Sequence, residues 1–371
     1  MRAAVRSSRR SSGRKAGPFG PLAACVRTWI DAGTIPGAVV VVGRASGPVY
    51  LHASGSRALS PRRERMTADT LFDLASLTKV IVTAPLVVER ATRGDIALDA
   101  PLDRFLSEAR GTEAGGIPLH LLLTHTAGFP ADNPMEDYAG GKARLLAAIA
   151  REPLEAAPGS RFIYSDVGFV LLQAVLERTT GRRLDRLARE EIFRPLGVRD
   201  MRFGIRARDR GRTAPTEAVR GRWLRGRVHD PRARSRALGG VAGHAGVFGT
   251  ARDVAAFCAM ILNGGRAGRR RVLSEETVRE LIANHCPMSV RVRRGYGFDI
   301  ESPYSAPRGS RFSIDSVGHS GFTGVSLWID PASDAYVVLL TSSLHDGGHK
   351  DLKPLRYEVG TLAAHALIRM R

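Results

Sequence analysis

The sequence is most informative at Phe72-Asp-Leu-Ala-Ser-Leu-Thr-Lys79, which is followed directly by a run of apolar residues. Apolar side chains then recur at the spacing of one helix face, at Val80, Ile81, Ala84, Val87, Val88 and Ala91. Gly94 follows this run and is a usual helix terminator. The pattern predicts a long apolar helix from Ser76 to Arg93.

Ser76 and Lys79 are three positions apart, so a helix that begins at Ser76 places both side chains on one face. A serine hydroxyl needs a base to remove its proton. A lysine can serve when burial lowers its pKa, whereas an arginine cannot lose its proton. Lysine occurs only at positions 15, 79, 142, 350 and 353 of this arginine-rich chain. The same spacing occurs at Ser12-Gly-Arg-Lys15, so the pair alone also fits a helix-capping serine followed by a solvated lysine.

Tyr164-Ser-Asp166 is the second segment of interest, and it stands on a predicted loop before a helix. A tyrosine on a loop opposite Ser76 can carry a proton to a leaving group once Lys79 lowers the pKa of its phenol. For Tyr164 taken alone, an ordinary half-buried tyrosine with its hydroxyl bonded is the alternative.

Gly318-His-Ser-Gly-Phe-Thr-Gly324 is the third segment and lies directly before a predicted hairpin. Glycines at a strand edge let a substrate backbone approach closely. An exposed N–H of this edge, together with the N–H of Ser76, is suited to form an oxyanion hole. His319 is placed to orient either a substrate carboxylate or the Tyr164 hydroxyl. A glycine-rich turn between two strands is the alternative.

Together and in this order, the three segments resemble the serine β-lactamase family, which includes class C β-lactamases, D-alanyl-D-alanine peptidases and related esterases. The resemblance covers roughly residues 23 to 369. Shorter matches support it, at Leu121-Leu-Leu-Thr-His-Thr-Ala-Gly128, Pro158-Gly159, Arg194-Pro-Leu-Gly197, Gly239-Gly-Val-Ala-Gly-His-Ala-Gly-Val-Phe248 and Tyr296-Gly-Phe298. The resemblance implies an α/β sandwich plus a helical domain, with the active site in the cleft between them.

The resemblance also implies a role for each site residue. Ser76 is the acylated serine, Lys79 the general base and Tyr164 the second proton carrier. The Lys-Thr-Gly strand motif of the family falls on His319-Ser320-Gly321, which places the second oxyanion N–H on Phe322.

Two positions depart from the family pattern. The β-lactamases of the family usually have Asn where this chain has Asp166, and an ionised Asp cannot donate a hydrogen bond to a substrate carbonyl. Asp166 beside Lys79 would also favour the charged lysine and move base duty toward Tyr164. His319 replaces the strand lysine and weakens the permanent positive charge for a substrate carboxylate. Both changes are familiar among esterase-like and peptidase-like members, so efficient antibiotic hydrolysis is not the favoured expectation.

The predicted fold class is α/β, with an antiparallel sheet built from both ends of the chain, flanked by helices and interrupted by a mainly helical domain. The sequence elements behind it are a helix at 22–32, strands at 37–43 and 49–53, a hairpin at 326–330 and 335–341, and a closing helix at 355–368. The clearest helices between them lie at 171–178, 184–192 and 251–262. We expect residues 1–19 to form a disordered basic tail, residues 20–95 and 276–371 the sheet domain, and residues 96–275 the helical domain.

The formal net charge is +20, but no zinc finger, RNA-binding strand or basic-region pattern accompanies it, so no specific nucleic-acid partner is expected. The segment Arg202–Arg236 would attract anionic surfaces only nonspecifically. His125, His229, Asp230 and His244 lack the close spacing of zinc ligands, and neither a metal nor another cofactor is expected. Instead His229 is expected to line the cleft, and His125 and His244 to hold loop backbones.

The expected activity is acyl transfer to water through an acyl-serine, on an ester, amide or β-lactam of a small-molecule or peptide substrate. No Gly-x-Ser-x-Gly elbow points to another hydrolase class. The alternative is a catalytically weak penicillin-binding or scaffold protein that has kept the fold. No apolar run is long enough to span a bilayer. The absence of an export signal predicts a cytoplasmic location, or a periplasmic or secreted one if the start codon is misassigned.

Overall fold

The fold is organised around one large antiparallel sheet, seen in a computed structural model that describes residues 17–345 and 347–370. The strands are β1 (Gly37–Arg44), β2 (Gly47–Ala58), β3 (Glu64–Arg65), β4 (Phe72–Asp73), β5 (Arg202–Phe203), β6 (Ala218–Val219), β7 (Arg222–Trp223), β8 (Val247–Gly249), β9 (Arg266–Ala267), β10 (Arg270–Arg271), β11 (Arg293–Arg294), β12 (Asp299–Glu301), β13 (Val317–Ser320), β14 (Ser326–Asp330) and β15 (Ala335–Thr341). The main sheet has the order β11-β12-β13-β14-β15-β1-β2-β3, and a separate small sheet has the order β4-β8-β5.

Both ends of the chain contribute to the main sheet, which confirms the predicted fold class. β1 pairs with β2 on one side and with β15 on the other, so that Val41 lies opposite Leu51 and Val338. The predicted hairpin is confirmed with its predicted bounds as β14 and β15. β2 is longer than the predicted segment 49–53.

Helices cover both faces of the sheet, which is why its central strands are continuous apolar runs. The helices are α1 (Gly20–Asp31), α2 (Ala84–Thr92), α3 (Leu119–Leu123), α4 (Lys142–Ala150), α5 (Asp166–Thr180), α6 (Leu184–Leu187), α7 (Arg194–Leu196), α8 (Ala251–Leu262), α9 (Glu275–Ile282) and α10 (Lys353–Ile368). Val40 and Val42 of β1 pack with α1 and α10, whereas Val39 and Val41 face a larger core that includes α2, α5 and α8. Among the described residues, no helix combines the length and apolarity needed to cross a bilayer.

The segment after Ser76 differs from the predicted continuous α-helix. Ser76 lies in a turn, Lys79–Thr83 is a π-helical segment, and α2 begins only at Ala84. Such π-helical turns are rare and frequently occur at functional sites. The hydroxyl of Thr83 donates to the carbonyl of Gly243 at 2.6 Å, and this bond joins the segment to the loop before β8.

The regular structure of residues 96–275, the middle of the chain, is mainly helical, but this region also carries part of the small sheet. Asp73 of β4 pairs with Phe248 of β8, so the segment that holds Ser76 is joined to this middle region. The predicted helix 251–262 is confirmed as α8. The predicted helix 184–192 is divided between α6 and a π-helical segment, Ala188–Phe193. The division into a sheet domain and a helical domain at the stated boundaries stays a prediction.

Most of the predicted basic tail, residues 1–19, lies outside the described residues. Phe19, its last residue, is buried and stacks on Tyr50 with 4.3 Å between ring centroids. Packed structure therefore begins at the end of the predicted tail, immediately before α1.

Gly318 of β13 has no room for a side chain, because a methyl group there would lie 2.4 Å from Trp328 Cδ2 and 2.5 Å from the Leu327 carbonyl oxygen. We expect Gly318→Ala to lower the free energy of unfolding by about 1–3 kcal/mol, the usual cost of overpacking. Gly116→Ala is the matched control, since nothing lies within 4 Å of that position. Urea unfolding followed by circular dichroism measures both variants, and equal midpoints would contradict the packing argument.

Candidate active site

The candidate nucleophile Ser76 stands on a turn that the Asp73 carboxylate holds in place. Asp73 is buried at the end of β4, and its Oδ1 accepts a hydrogen bond from the Ala75 N–H at 2.9 Å. Its Oδ2 accepts one from the His229 N–H at 2.7 Å. Ala75 has a φ of 45°, a left-handed conformation that is uncommon for a residue with a side chain. The Asp73 carboxylate therefore fixes the backbone that presents Ser76.

Ser76, Lys79 and Asp166 form a connected chain of polar contacts. Lys79 Nζ donates to Ser76 Oγ at 3.1 Å and to Asp166 Oδ1 at 2.6 Å. The Lys79 side chain is fully buried. Asp166 is the first residue of α5, where the helix dipole favours a negative charge. The structure thus brings together three of the residues that the sequence assigned to the site.

Opposed effects act on the pKa of Lys79. Burial lowers the pKa, but the Asp166 carboxylate and the Tyr164 phenol raise it, and it ends above its ordinary value. The expectation of a lysine with a lowered pKa is therefore wrong for the resting site. The expectation that Asp166 favours the charged lysine is confirmed, because a carboxylate in contact stabilises the ammonium form.

Tyr164 lies between Lys79 and His319. Its hydroxyl oxygen is 3.5 Å from His319 Nε2, and Lys79 Nζ lies 4.8 Å from the centroid of its ring. Burial raises the pKa of the phenol, and the opposing charge of Lys79 does not overcome this effect. The predicted lowering of the Tyr164 pKa is therefore wrong, because the sequence shows the neighbouring lysine but not the depth of burial. Tyr164 is a neutral phenol that can donate a proton.

His319 is held in one tautomer. Its Nδ1 is 2.7 Å from the Ser320 carbonyl oxygen, so Nδ1 carries the proton and Nε2 is an acceptor that faces Tyr164. Burial lowers the pKa of His319 well below its ordinary value, and the charges of Lys79 and Arg294 lower it further. The ring is therefore neutral, which favours orientation of the Tyr164 hydroxyl over the other predicted role, binding a substrate carboxylate.

The turn between β13 and β14 packs directly against the Ser76 turn. A side chain at Gly321 would lie 2.9 Å from the Leu74 carbonyl oxygen and 3.2 Å from Ala75 Cβ. The hydroxyl of Thr323 donates to the Asp73 carbonyl at 2.7 Å. Gly321 permits the close approach of the two turns because it has no side chain, and the Thr323 hydrogen bond holds them together.

The N–H groups of Ser76 and Phe322, the predicted oxyanion donors, bond to no acceptor within residues 17–345 and 347–370. Both are therefore available to a substrate oxygen. Asp73 and Thr323, which join the segments of the two donors, were not identified as functional from the sequence. Both stand inside the quoted motifs, and a polar residue at the end of a buried strand is the signal that could have found them.

A cavity of about 580 Å³ opens over these residues. The predicted residues that line it are Ser76, Tyr164, Asp166, His229, His319, Gly321 and Phe322, while Lys79 is buried behind Ser76. Asp132 and Asp230 are close enough to Asp166 to influence the same ionisations. Basic lining residues occur at the start of α10 and just before it, namely Lys350, Lys353 and Arg356.

His229 contributes to the cavity wall, as expected. Its Nδ1 is 3.0 Å from Glu217 Oε1, and its ring stacks on Phe322 with 5.2 Å between centroids. Phe322 also stacks on His349, with 4.3 Å between centroids. The aromatic side chain that follows the oxyanion segment is therefore held between two imidazole rings.

Asp166, Asp230 and His244 each present one ligand atom, and these atoms lie within 4.8 Å of one another. No metal site was predicted from the spacing of residues in the sequence. The three residues are far apart in the chain, and only the fold brings them together. The ammonium of Lys79 already places a positive charge in contact with Asp166. His125 lies outside this group: its Nδ1 accepts the Ser165 N–H at 3.1 Å, so it holds a loop backbone as expected.

Comparison with known proteins places this arrangement in a family. A family model described as Beta-lactamase matches residues 22–361. A protein of Escherichia coli O157:H7 named "Putative D-alanyl-D-alanine carboxypeptidase" is 30% identical over 350 residues, which cover 85% of this chain and 80% of that protein. A protein of the same name from Escherichia coli strain K12 is 31% identical over 309 residues, or 76% of this chain and 71% of the relative.

Solved structures show the same fold at lower sequence identity. A class C β-lactamase has a TM-score of 0.76 and 16% identity, covering 95% of this chain and 96% of that one. EstCE1, described as a hydrolase with promiscuous acyltransferase activity, has a TM-score of 0.74 and 22% identity, covering 94% and 98%. A penicillin-binding protein homologue from Caulobacter crescentus has a TM-score of 0.75 and 18% identity, covering 94% and 97%. With a family match over nearly the whole chain and a serine, lysine and tyrosine gathered at the cleft, the protein belongs to the β-lactamase family of serine hydrolases.

Proposed function

We propose that the protein is a serine carboxypeptidase that removes the last residue of a peptide-like substrate through an acyl-serine intermediate. The observation that carries the proposal is the basic side of the cleft. Arg356 lines it beside Gly321 and has no carboxylate within 4.0 Å in the described part of the chain. Lys350 and Lys353 line the same region; the Lys350 ammonium donates to the Gly33 carbonyl at 3.0 Å, whereas Lys353 is exposed. A C-terminal carboxylate on the leaving group would meet these cations.

The names of the relatives support the same substrate class, since they refer to D-alanyl-D-alanine carboxypeptidases. A peptide that ends in D-Ala-D-Ala is therefore the first substrate to test. The acyl portion of such a peptide would lie toward Asp166, and its last residue toward α10.

In the acylation step, the hydroxyl oxygen of Ser76 attacks the scissile carbonyl carbon. The neutral form of Lys79, whose nitrogen is 3.1 Å from that oxygen, accepts the serine proton. Asp166 stabilises the ammonium that forms. The N–H groups of Ser76 and Phe322 bind the carbonyl oxygen as it becomes an oxyanion.

Tyr164 completes the step as the proton donor to the leaving amine nitrogen while the C–N bond breaks. His319 accepts a hydrogen bond from the phenol and so orients it. The ammonium of Lys79 returns a proton to Tyr164, which leaves both groups as they began. In deacylation the proton transfers run in reverse. Tyr164 passes its proton to Lys79 and accepts one from the attacking water, and the Lys79 ammonium returns a proton to the Ser76 oxygen as the shortened acid leaves.

Substituting Ser76 by Ala should abolish covalent labelling by both a penicillin and an activated short-chain ester, because the variant has no oxygen to acylate. Intact-protein mass spectrometry after brief exposure measures the adduct. Ser160→Ala is the control, since this exposed hydroxyl bonds only the nearby Ala157 carbonyl. Labelling that persists in Ser76→Ala would show that the nucleophile lies elsewhere.

Asp166→Asn should move the acidic limb of the acylation rate to lower pH. In the wild-type site the pKa of Lys79 is raised, so the reactive neutral lysine becomes more abundant as pH increases toward that pKa. Without the carboxylate, the pKa of Lys79 falls relative to the wild-type site, because burial is then opposed only by Tyr164. Each unit of decrease raises the neutral fraction at pH 7 about tenfold. Stopped-flow acylation by a neutral ester from pH 5 to 10 measures this limb, and Asp31→Asn, which removes an exposed carboxylate at the end of α1, is the control. If the acidic limb of the acylation rate lies at the same pH in Asp166→Asn as in the wild-type protein, Lys79 is not the base.

A peptide ending in D-Ala-D-Ala should lose D-alanine at least about tenfold faster than the same peptide with a C-terminal amide, because only the free acid offers a charge to the basic side of the cleft. Lys353→Ala should reduce that preference. Lys142→Ala should leave it unchanged, because Lys142 pairs with Glu177 and does not line the cavity. Amino-acid analysis of the released product measures the rates, and equal cleavage of acid and amide would refute the carboxypeptidase assignment.

An esterase that shares the fold is the second candidate. Phe322 and Tyr304 line the cavity with 53% and 44% of their surfaces exposed, which suits an apolar acyl or alcohol group. Fast turnover of p-nitrophenyl butyrate without release of D-alanine would favour the esterase. A lasting penicillin adduct without turnover of either substrate would favour the weak penicillin-binding alternative.

A further inference from the structure

Arg356 lines the basic side of the cleft and also contacts the backbone of the turn between β13 and β14. Its Nη2 donates to the Gly321 carbonyl at 2.9 Å and to the Val325 carbonyl at 3.2 Å. Its Nε is buried and bonds to no acceptor in the described residues. Burial lowers the pKa of Arg356 to about 10, against a smaller opposing effect of Asp351. This arginine is partly buried and its bonded partners are backbone carbonyls, so it acts on that backbone.

The carbonyl of Gly321 and the N–H of Phe322 belong to the same peptide group. This peptide is trans, since the cis bond of the described chain is Ser60-Pro61, so the C=O and N–H point in opposite directions. A guanidinium on the oxygen therefore leaves the N–H directed away from Arg356. A positive charge on a carbonyl oxygen also polarises the amide and makes its N–H a stronger donor.

The turn does not need Arg356 in order to close. The Gly321 N–H donates to the Val325 carbonyl at 2.8 Å, and the Gly324 N–H donates to the Gly321 carbonyl at 3.1 Å. The hydroxyl of Ser343 holds the Phe322 carbonyl at 2.8 Å. Arg356 thus adds a charge to a peptide whose position is already supported on both sides.

We infer that Arg356 is a positioning residue of the oxyanion hole, and that its guanidinium holds and polarises the Gly321–Phe322 peptide group for the stabilisation of the oxyanion. The inference rests on the proposed role of the Phe322 N–H, and it holds whichever acyl substrate the protein uses. Arg356 acts in both acylation and deacylation, because an oxyanion forms in each step.

The decisive substrate is a neutral activated ester such as p-nitrophenyl acetate. This ester has no leaving-group carboxylate, so a loss on it cannot come from weaker carboxylate binding at the basic side of the cleft. Arg356→Met removes the charge and keeps much of the side-chain length, whereas Arg356→Lys keeps a positive charge. Arg44 is the matched control, because it also donates to turn carbonyls, those of Ser333 and Asp334, at the opposite end of β14.

We expect Arg356→Met to lower both the acylation and the deacylation rate about tenfold, less than the roughly 100-fold or greater loss seen when an oxyanion donor itself is removed. The dissociation constant of the noncovalent enzyme–ester complex and the thermal midpoint should change little. Arg356→Lys should recover part of the rate. Infrared difference spectra of the acyl-enzyme should show the ester carbonyl at higher frequency in Arg356→Met, because a weaker hydrogen bond leaves more double-bond character.

The inference is overturned if Arg356→Met keeps wild-type rates on the neutral ester, or if Arg44→Met loses as much. It is also overturned if the carbonyl frequency is unchanged while the rate falls with the thermal midpoint, since that pattern indicates only a structural role. A wild-type protein that hydrolyses esters but not D-Ala-D-Ala peptides would refute the proposed carboxypeptidase function and leave the Arg356 result to stand by itself.

Discussion

The buried carboxylate of Asp73 is the interaction on which the active site depends. One oxygen binds the N–H of Ala75 and the other binds the N–H of His229, while the backbone carbonyl of the same residue accepts the Thr323 hydroxyl. Three segments that are distant in the chain therefore meet at one residue. Burial opposes the charge of this carboxylate and raises its pKa, and the two backbone hydrogen bonds offset part of that cost. A buried charge is tolerated only when it is bonded in this way.

The charges around the nucleophile are arranged so that one lysine stays charged and one histidine and one tyrosine stay neutral. Asp166 holds the ammonium of Lys79, and this positive charge helps to keep the pKa of His319 low. Arg294 acts on His319 in the same direction and is itself balanced by a buried ion pair with Asp299, at 3.0 Å. Because such a pair is costly to break from one side only, Arg294 stays charged beside His319.

The cleft is lined by charged side chains of both signs, and their placement underlies the proposed peptide substrate. Carboxylates line the cavity near the start of α5, where Arg232 pairs with Asp132, and cations line it at the start of α10 together with Asp351. Under the proposed function, the cations at the start of α10 orient a substrate that carries a carboxylate on its leaving group. The exposed ring of Phe322, held between His229 and His349, adds an apolar surface at the same end.

The sequence by itself determined the fold class and the hairpin that forms β14 and β15, and it singled out Ser76, Lys79, Tyr164 and His319 as candidate site residues, because local periodicity and short motifs express these features directly. It also indicated that Asp166 would favour a charged lysine. Only the tertiary structure decided the sign of the pKa shifts of Lys79 and Tyr164, since those signs depend on how burial compares with the charge of a partner. Likewise, the roles of Asp73, Thr323 and Arg356 rest on contacts with segments 35 to 250 residues away. Such contacts arise from packing, and no local pattern in the chain encodes them.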